Sequence, residues 1–411
     1  MTKTSKILLG SVIAIGVLII LALIFIRPAL LRFRQGLDHE FSNDSYEQRL
    51  KENESQIKER LIASCDLSGN LIYHLDYSRD GKYIALATLS GVEIRDGENL
   101  NLIKEWESAR GVELAFHPSG QLLALGLAPD GQVEIRTVPN GELIKTIYTD
   151  TDNEDWDTTP DDISAGYPDD DSVAQVSFSP DGQYLLTRTR GEWKVMVWET
   201  KDWSLKYALR KDEKFDSTLL PASGRAKAEW AQFSPDSQSV YVSSSLPLYY
   251  PAGSEKSGQR VPADQQAGWI SHYDLSNGQK IRELRDEFLL GCYRFYFSPD
   301  GQKILVESVK KINENPNDEK MMMTIWELDN SPQLKWLPNI YGVGERSMDY
   351  LNTYLAIGSS SGIFTLWNIE TQKGIYEVDL HGRIGELRFS SDGKKVAVGS
   401  KGSCYLFRVS E

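Results

Sequence analysis

Acidic residues between positions 150 and 171 are the side chains of this protein best suited by spacing to hold a metal ion. Ten residues of this segment are Asp or Glu. Asp150, Asp152 and Glu154 have the one-three-five spacing of the first ligands in a calcium-binding loop. The sixth position is Asp155, although such a loop needs glycine there for its turn. We therefore interpret the segment as a solvated acidic loop, with metal binding and docking of a basic partner as the alternatives.

Seven other ionisable residues could form a ligand-binding or hydrolytic site if the strands that carry them were arranged in a ring. They are His74, Asp76, Glu113, Arg294, Asp349, Glu386 and Arg388. Histidines and carboxylates that converge from several strands often surround a metal in hydrolases. The alternative is that these residues form salt bridges with one another and are solvated near a central channel.

The sequence carries no histidine-based metal motif and no nucleotide-binding motif of an enzyme. Its five histidines, at positions 39, 74, 117, 272 and 381, include no metal-ligand spacing such as His-x-x-x-His. A phosphate-binding glycine loop and a dinucleotide fingerprint are also absent. We predict that the protein is not an enzyme and uses no cofactor.

The composition argues against two further classes of protein. The formal net charge of −14 and the isoelectric point near 5.0 disfavour nucleic-acid binding, because that binding needs clustered Lys and Arg. The three cysteines, Cys65, Cys292 and Cys404, are too few and too scattered for a disulfide framework or a thiolate zinc site. No small-molecule substrate is evident, so we expect a protein or peptide partner.

Aromatic residues in two insertions are the candidates for contact with such a partner. Trp156 and Tyr167 lie within the acidic segment, and Tyr249 and Tyr250 lie beside prolines in the second insertion, residues 244–266. Exposed aromatic residues of this kind suit protein contact. Alternatively, they fold back over the neighbouring strands.

Seven short strands, each closed by an aromatic residue, would have to position these side chains. The closing residues are Tyr77, Phe116, Phe178, Phe233, Phe297, Tyr350 and Phe389. The residue two places before each of them is apolar, and the residues between are mostly polar, which is the alternation of a strand. A turn follows, with its clearest form in Ser179-Pro180-Asp181-Gly182 and Ser298-Pro299-Asp300-Gly301.

Each closing aromatic residue is followed by signals for three more strands. In the second unit these are Leu122 to Leu125, Val133 to Arg136 and, after the turn at Pro139-Asn140-Gly141, Leu143 to Ile147. Four antiparallel strands in each of seven units predict an all-β, seven-bladed propeller over residues 61–411.

These repeats resemble the WD-repeat β-propellers. The resemblance rests on the Phe-Ser-Pro-Asp-Gly turns and on third strands that end in Val197-Trp198-Glu199, Ile325-Trp326-Glu327 and Leu366-Trp367-Asn368. Propellers similar to the periplasmic TolB protein remain the alternative subtype. The resemblance implies a protein-interaction scaffold; the alternative function is a ligand-binding or hydrolytic site in the channel.

The last unit ends after its third strand, so its fourth strand must come from elsewhere. Members of the family commonly borrow one from ahead of the first blade, and Leu61 to Cys65 occupies that place. We predict that this segment pairs with Ser403 to Phe407 and leaves no open edge. The pairing would bring Cys65 near Cys404, where an exported protein could form a disulfide.

Residues 7–26 are predicted to span a membrane as a single helix, preceded by a short basic tail at residues 1–6. Twenty residues without a charge match a bilayer core of about 30 Å. A cleaved signal peptide is the alternative, but its apolar region is usually shorter. The charges on the two flanks are nearly balanced. We expect a cytoplasmic amino terminus and an exported propeller, because such a segment commonly inserts like an uncleaved signal.

Residues 27–60 form the predicted connection between membrane and propeller. From Asn43 to Ile62 the sequence is polar and favours a helix, without Pro or Gly. Its apolar stripe is thin, with Tyr46, Leu50, Ile57 and Leu61 on one face. We interpret the helix as a solvated spacer, with weak coiled-coil pairing as the alternative.

Overall fold

The computed structural model describes residues 43–67, 71–107, 111–127, 131–149, 172–189, 194–209, 227–245, 268–285, 289–311, 319–328, 334–336, 346–351 and 353–409. The chain divides into two units, Met1–Glu59 and Arg60–Glu411. Calcium candidates Asp150, Asp152 and Glu154 lie outside the described residues, as do the partner candidates Trp156, Tyr167, Tyr249 and Tyr250.

Helix α1 (Asn43–Arg60) is the described part of the amino-terminal region. Most of its side chains from Lys51 onwards are exposed, as expected for a solvated spacer. The helix ends two residues earlier than predicted, because Leu61 and Ile62 belong to a strand. No described helix is both long enough and apolar enough to cross a membrane, and the predicted membrane segment, residues 7–26, lies outside the described residues.

The described residues of the second unit form 28 strands in seven four-stranded antiparallel sheets, each of which is one blade. Blade 1 contains β2 (Ile72–Tyr77), β3 (Tyr83–Thr88), β4 (Gly91–Asp96) and β5 (Leu102–Trp106). Blade 2 contains β6 (Gly111–Phe116), β7 (Leu122–Leu127), β8 (Gln132–Thr137) and β9 (Leu143–Tyr148). Blade 3 contains β10 (Val173–Phe178), β11 (Tyr184–Thr189), β12 (Val195–Glu199) and β13 (Ser204–Leu209).

The remaining blades repeat this order. Blade 4 contains β14 (Lys227–Phe233), β15 (Ser239–Ser245), β16 (Gly268–Asp274) and β17 (Lys280–Arg285). Blade 5 contains β18 (Leu289–Phe297), β19 (Lys303–Lys311), β20 (Glu319–Glu327) and β21 (Leu334–Trp336). Blade 6 contains β22 (Arg346–Leu351), β23 (Tyr354–Ser359), β24 (Ile363–Asn368) and β25 (Lys373–Asp379). Blade 7 contains β26 (Ile384–Phe389), β27 (Lys395–Ser400), β28 (Ser403–Arg408) and β1 (Leu61–Asp66).

The first strands of the blades form the inner wall of a closed ring. They contact one another in the order β2, β6, β10, β14, β18, β22 and β26, and β26 contacts β2 in turn. Apolar residues two places before the closing aromatic residues are buried between the blades, as in Leu75, Leu114 and Leu387. The predicted seven-bladed propeller with four antiparallel strands per blade is confirmed.

A serine and an aspartate build the turn after the first strand in five of the described blades. In blade 3, the Ser179 hydroxyl donates to Asp181 Oδ1 at 2.6 Å and accepts the backbone N–H of Tyr184 at 2.9 Å. The corresponding serine–aspartate bonds are Ser78–Asp80, Ser234–Asp236, Ser298–Asp300 and Ser390–Asp392. The Ser-x-Asp part of the repeated motif thus satisfies the backbone of the turn and fixes the entry of the second strand.

Gly182, which closes this turn in blade 3, is expected to tolerate no side chain. Its φ is +75°, and an added Cβ would lie 2.5 Å from Nε2 of His117, which also bonds to the Gly182 carbonyl. Gly182→Ala should lower the free energy of unfolding by about 2–3 kcal/mol in urea titrations. Gly81 in blade 1 has a φ of +73° with no atom near its Cβ position, so Gly81→Ala should cost only about 1 kcal/mol. Equal losses in the two variants would show that the His117 contact does not matter.

Strand β1 closes the ring. It pairs antiparallel with β28, with Leu61 opposite Phe407, Cys65 opposite Cys404 and Asp66 opposite Ser403. The Leu67 N–H extends this ladder to the Gly402 carbonyl at 2.8 Å, and Arg60 donates to the Val409 carbonyl at 2.9 Å. The predicted pairing of the segment ahead of the first blade with the last blade is confirmed.

Candidate functional site

The inner strands place all seven predicted ionisable residues on the wall of the central channel. His74 and Asp76 lie on β2, Glu113 on β6, Arg294 on β18, Asp349 on β22, and Glu386 and Arg388 on β26. Each stands one or three places before a closing aromatic residue, so alternation directs it away from the apolar layer between the blades. Ring closure brings them into one polar cluster.

Arg388 connects three blades within this cluster. Its guanidinium lies 3.7 Å from Asp349 Oδ1 of blade 6 and 3.7 Å from Asp76 Oδ1 of blade 1. It also approaches Nε2 of His74 at 3.4 Å. All four side chains are mostly buried, so their charges are stabilised by the contacts among them rather than by water.

The two aspartates also bind the backbone of the next blade. Asp76 Oδ2 accepts the N–H of Phe116 in blade 2 at 2.9 Å, and Asp349 Oδ2 accepts the N–H of Phe389 in blade 7 at 2.8 Å. Burial raises the pKa of Asp349 to about 6, and the neighbouring Arg388 opposes that shift. Burial raises the pKa of Asp76 in the same way. Asp76 thus links blade 1 to blade 2. Asp349, at the equivalent position of its strand, links blade 6 to blade 7.

His74 and Glu113 are in contact, with Nε2 and Oε2 3.2 Å apart. A guanidinium can only donate, so the contact with Arg388 requires a lone pair on Nε2 and a neutral imidazole protonated on Nδ1. Burial, the largest cause in both cases, lowers the pKa of His74 to about 4 and raises the pKa of Glu113 to about 8. At pH 7 a protonated Glu113 therefore faces a neutral His74.

This pair predicts a stability that falls as the pH rises above neutrality. The folded protein holds the Glu113 proton more tightly than the unfolded chain, so its contribution is full below about pH 4.5 and is lost as the pH approaches 8. Glu113→Gln cannot titrate. Between pH 6.5 and 8 the wild-type free energy of unfolding should fall by roughly 2 kcal/mol more than that of the variant. Parallel curves in urea titrations would show that Glu113 ionises normally.

The structure adds polar residues that the sequence did not single out. Gln175 of blade 3 donates from its amide to the Ala231 carbonyl at 2.6 Å and accepts the Ala231 N–H at 3.1 Å. Its place, three before Phe178, matches that of His74 and Glu113, so the repeat alignment could have identified it. Arg188 lies on a second strand and donates to the Ala228 carbonyl at 3.3 Å. The sequence pattern that identified the other residues concerns the first strands alone, so it could not have indicated Arg188.

Arg294 completes the cluster on the far side of the channel. Its guanidinium lies 5.0 Å from the centroid of the Trp230 ring, at cation–π distance. Among the described residues, no group of three or more His, Cys, Asp or Glu side chains could hold a metal ion. The cluster combines carboxylates with arginines, an arrangement that joins blades through ion pairs.

A second feature lies on the outside of the ring, on the outermost strands of blades 1 and 2. Leu102 and Ile103 of β5 are 46% and 43% exposed, and Leu143 and Ile144 of β9 are 51% and 50% exposed. We call these four residues the outer apolar strip. The two pairs occupy equivalent positions in their blades. In blade 1 the N–H of the turn residue Leu100 donates to the carbonyl of Asp96 at the end of the third strand, and in blade 2 the N–H of Gly141 donates to Thr137 in the same way. Each Leu-Ile pair begins two residues after that turn residue.

Blade packing connects the two halves of the strip. Gly141, in the turn before β9, lies so close to the Trp106 ring at the end of β5 that an added Cβ would be 2.8 Å from it. At the corresponding positions of blades 3 and 4 the pairs are Leu205-Lys206 and Lys280-Ile281. Among the described blades 1 to 4, only blades 1 and 2 present two adjacent aliphatic residues there.

Comparisons with known proteins agree with this architecture. No protein-family profile matches the chain. Over 143 residues it is 29% identical to an uncharacterized WD repeat-containing protein of Synechocystis sp., a match that covers 34% of this chain and 35% of that relative. The aligned region is thus about a third of the curated relative's length. A hydrazine synthase chain of Kuenenia stuttgartiensis has a TM-score of 0.61 and 16% identity, over 84% of this chain and 97% of that chain. That likeness concerns the fold alone.

Proposed function

We propose that this chain, a seven-bladed β-propeller of the WD-repeat type, is a scaffold that binds another protein through the outer apolar strip. The observation that carries the proposal is the exposure of two Leu-Ile pairs on neighbouring outermost strands. Apolar side chains gain about 25 cal/mol for each Å² that a partner removes from water. Adjacent exposed aliphatic residues on two strands therefore favour an interface.

The position of the strip also supports binding of an extended segment. Strands β5 and β9 are the outer edges of their sheets, so each presents backbone N–H and C=O groups along one side. A partner strand could pair with this backbone while its side chains contact the Leu-Ile pairs. The channel is less suited to a protein partner, because Arg388, Asp76 and Asp349 already pair with one another there.

Two variants at equivalent positions test this function. Ile144 and Ile281 occupy the same place on the outermost strands of blades 2 and 4, and both are about half exposed. The full-length chain carrying Ile144→Glu should retain less than about a tenth of the partner that the wild type co-purifies, since an interface anchor is worth more than 1.4 kcal/mol. The Ile281→Glu variant should retain it. Equal retention by both variants would contradict the proposal.

We also propose that residues 7–26 hold the propeller at a membrane, with the propeller on the extracytoplasmic side. The support is the uncharged length of this segment, which matches a bilayer core. Protease treatment of intact cells should digest the propeller and leave a small protected fragment that contains the apolar segment. Protection of the whole chain until the membrane is opened would place the propeller in the cytoplasm.

A ligand-binding or hydrolytic channel is the second candidate function, and the His74–Glu113 pair favours it. Pairs of titratable groups with opposite pKa shifts occur in acid–base sites. The fold itself assigns no chemistry, because it hosts both binding proteins and enzymes. Metal analysis of the purified protein separates the candidates: a stoichiometric metal that is lost in Glu113→Gln would favour the channel.

A further inference from the structure

The two cysteines at the closure of the ring lie directly opposite each other. Cys65 on β1 is the register partner of Cys404 on β28, whereas Cys292 lies in blade 5. The Leu67 N–H donates to the Gly402 carbonyl, two residues along the same ladder, and hydrogen-bonded pairs recur at every second residue. Cys65 and Cys404 are therefore directly opposed residues whose backbone N–H and C=O groups are hydrogen-bonded to each other. The Cα atoms of such a pair are about 5.5 Å apart, within the range that a disulfide spans.

The side chains of the two cysteines are also in contact. Directly opposed residues of antiparallel strands project to the same face of the sheet. Both cysteines are free thiols, and the side chain of each is the largest influence on the pKa of the other. They pack with Leu67, Leu75 and Leu406 in the apolar cluster that joins blade 7 to blade 1. A covalent bond at this point would therefore fasten the junction that closes the ring.

The geometry points to Cys65 and Cys404 as a reversible thiol–disulfide pair that locks the propeller shut when a disulfide oxidant is present. This modification is independent of the proposed scaffold function. It would fix the closing strand β1 to β28 by a bond instead of by hydrogen bonds alone. Nearly the whole propeller lies between the two cysteines in the chain, so the bond would restrict the unfolded chain strongly.

The two cysteines have different environments, which assigns each a step in the reaction. Cys65 is partly exposed, and the hydrogen bond from Cys404 lowers the pKa of its thiol to about 7. Cys404 is buried, and its bond to Cys65 together with burial raises the pKa of its thiol. Cys65 is therefore the thiol that an oxidant can reach and that supplies a thiolate near neutral pH. Cys404 is the second, resolving thiol.

The reaction is a two-step exchange with a small-molecule disulfide. The Cys65 thiolate attacks one sulfur of the oxidant, whose S–S bond breaks and releases one thiolate. Cys404 then loses its proton to solvent and attacks Cys65 Sγ in the mixed disulfide, which releases the second thiolate. Two protein thiols are oxidised to one disulfide, and one oxidant disulfide is reduced to two thiols.

The test uses the purified full-length chain and oxidised glutathione. Titration of thiols under denaturing conditions should fall from three to one, and peptide mass spectrometry should find Cys65 joined to Cys404. The melting temperature should rise by roughly 5 °C and return to its starting value with dithiothreitol. Three remaining thiols, or stable glutathione on Cys65 with Cys404 still reduced, would overturn the proposal.

Serine variants of the cysteines show which thiols react. Cys292→Ser should still form the bond and show the rise in melting temperature. Cys65→Ser changes a partly exposed residue, so it should fold and yet show no rise with oxidised glutathione. A rise of the same size in Cys65→Ser would mean that the stabilisation comes from another reaction.

Discussion

A chain that begins at residue 68 is expected to lose cooperative folding, whereas a chain that begins at residue 60 should unfold like the full-length protein. The shorter chain lacks β1, which pairs with β28 along its whole length. Its removal leaves β28 as an open edge and exposes the buried side of blade 7. The chain from Arg60 keeps the whole compact second unit.

The expected loss is large compared with the stability of a protein. Strand β1 contributes several backbone hydrogen bonds, each worth about 1 kcal/mol. It also contributes the packing of Ala63, Cys65 and Leu67 against the first blade. Together these are on the order of 5 kcal/mol or more, close to the whole stability of a typical domain. Tryptophan fluorescence in urea should show a cooperative transition for residues 60–411 and none for residues 68–411. Matching midpoints would mean that the ring does not need its closing strand.

Removal of Arg388 from the channel is expected to have the second largest effect. Arg388→Met leaves Asp76 and Asp349 without their shared cation in a largely buried setting. Loss of one partner of a buried ion pair typically costs about 3–5 kcal/mol, because the remaining charges are uncompensated. The free energy of unfolding at pH 7 should fall by that amount.

Two controls identify the charge as the cause. Adding Asp349→Asn to Arg388→Met removes one uncompensated carboxylate and should restore roughly 1–2 kcal/mol. The loss in Arg388→Met should also shrink as the pH falls towards about 6. That is the pKa of Asp349 with Arg388 beside it, and because Arg388 lowers this pKa, its removal lets the carboxyl take up a proton at higher pH. A loss that does not change with pH or with the second substitution would indicate packing instead of charge.

The inner part of each blade could be predicted because its sequence pattern is strict. Alternation fixed which side of each first strand faces the core, so His74, Glu113 and Arg388 could be assigned to the channel before any coordinates. Closure by Leu61 to Cys65 followed from the missing fourth strand of the last blade. Helix α1 was extended too far because Leu61 fits both a helical stripe and the alternation of β1.

The outer part of the blades was less predictable, because exposure there depends on which strand is an edge. Leu102-Ile103 and Leu143-Ile144 have the composition of buried strands, and only their place on β5 and β9 makes them solvent-exposed. The ion pairs on the third strands of blades 1 and 2 were likewise not indicated by the sequence pattern. Arg95 stands where the resemblance calls for tryptophan and pairs with Glu93 at 2.6 Å. Arg136 and Glu134 repeat that pair in blade 2 at 2.7 Å.

Site-specific photo-crosslinking tests the proposed binding surface most directly. A photoreactive amino acid would replace Ile103, Ile144 or Ile281 in three separate full-length variants, and each variant would be irradiated in the cells that produce it. We expect a discrete adduct with one other protein from position 144, a similar adduct from position 103, and none from position 281. Adducts of equal yield from positions 144 and 281, or none from 144, would contradict it.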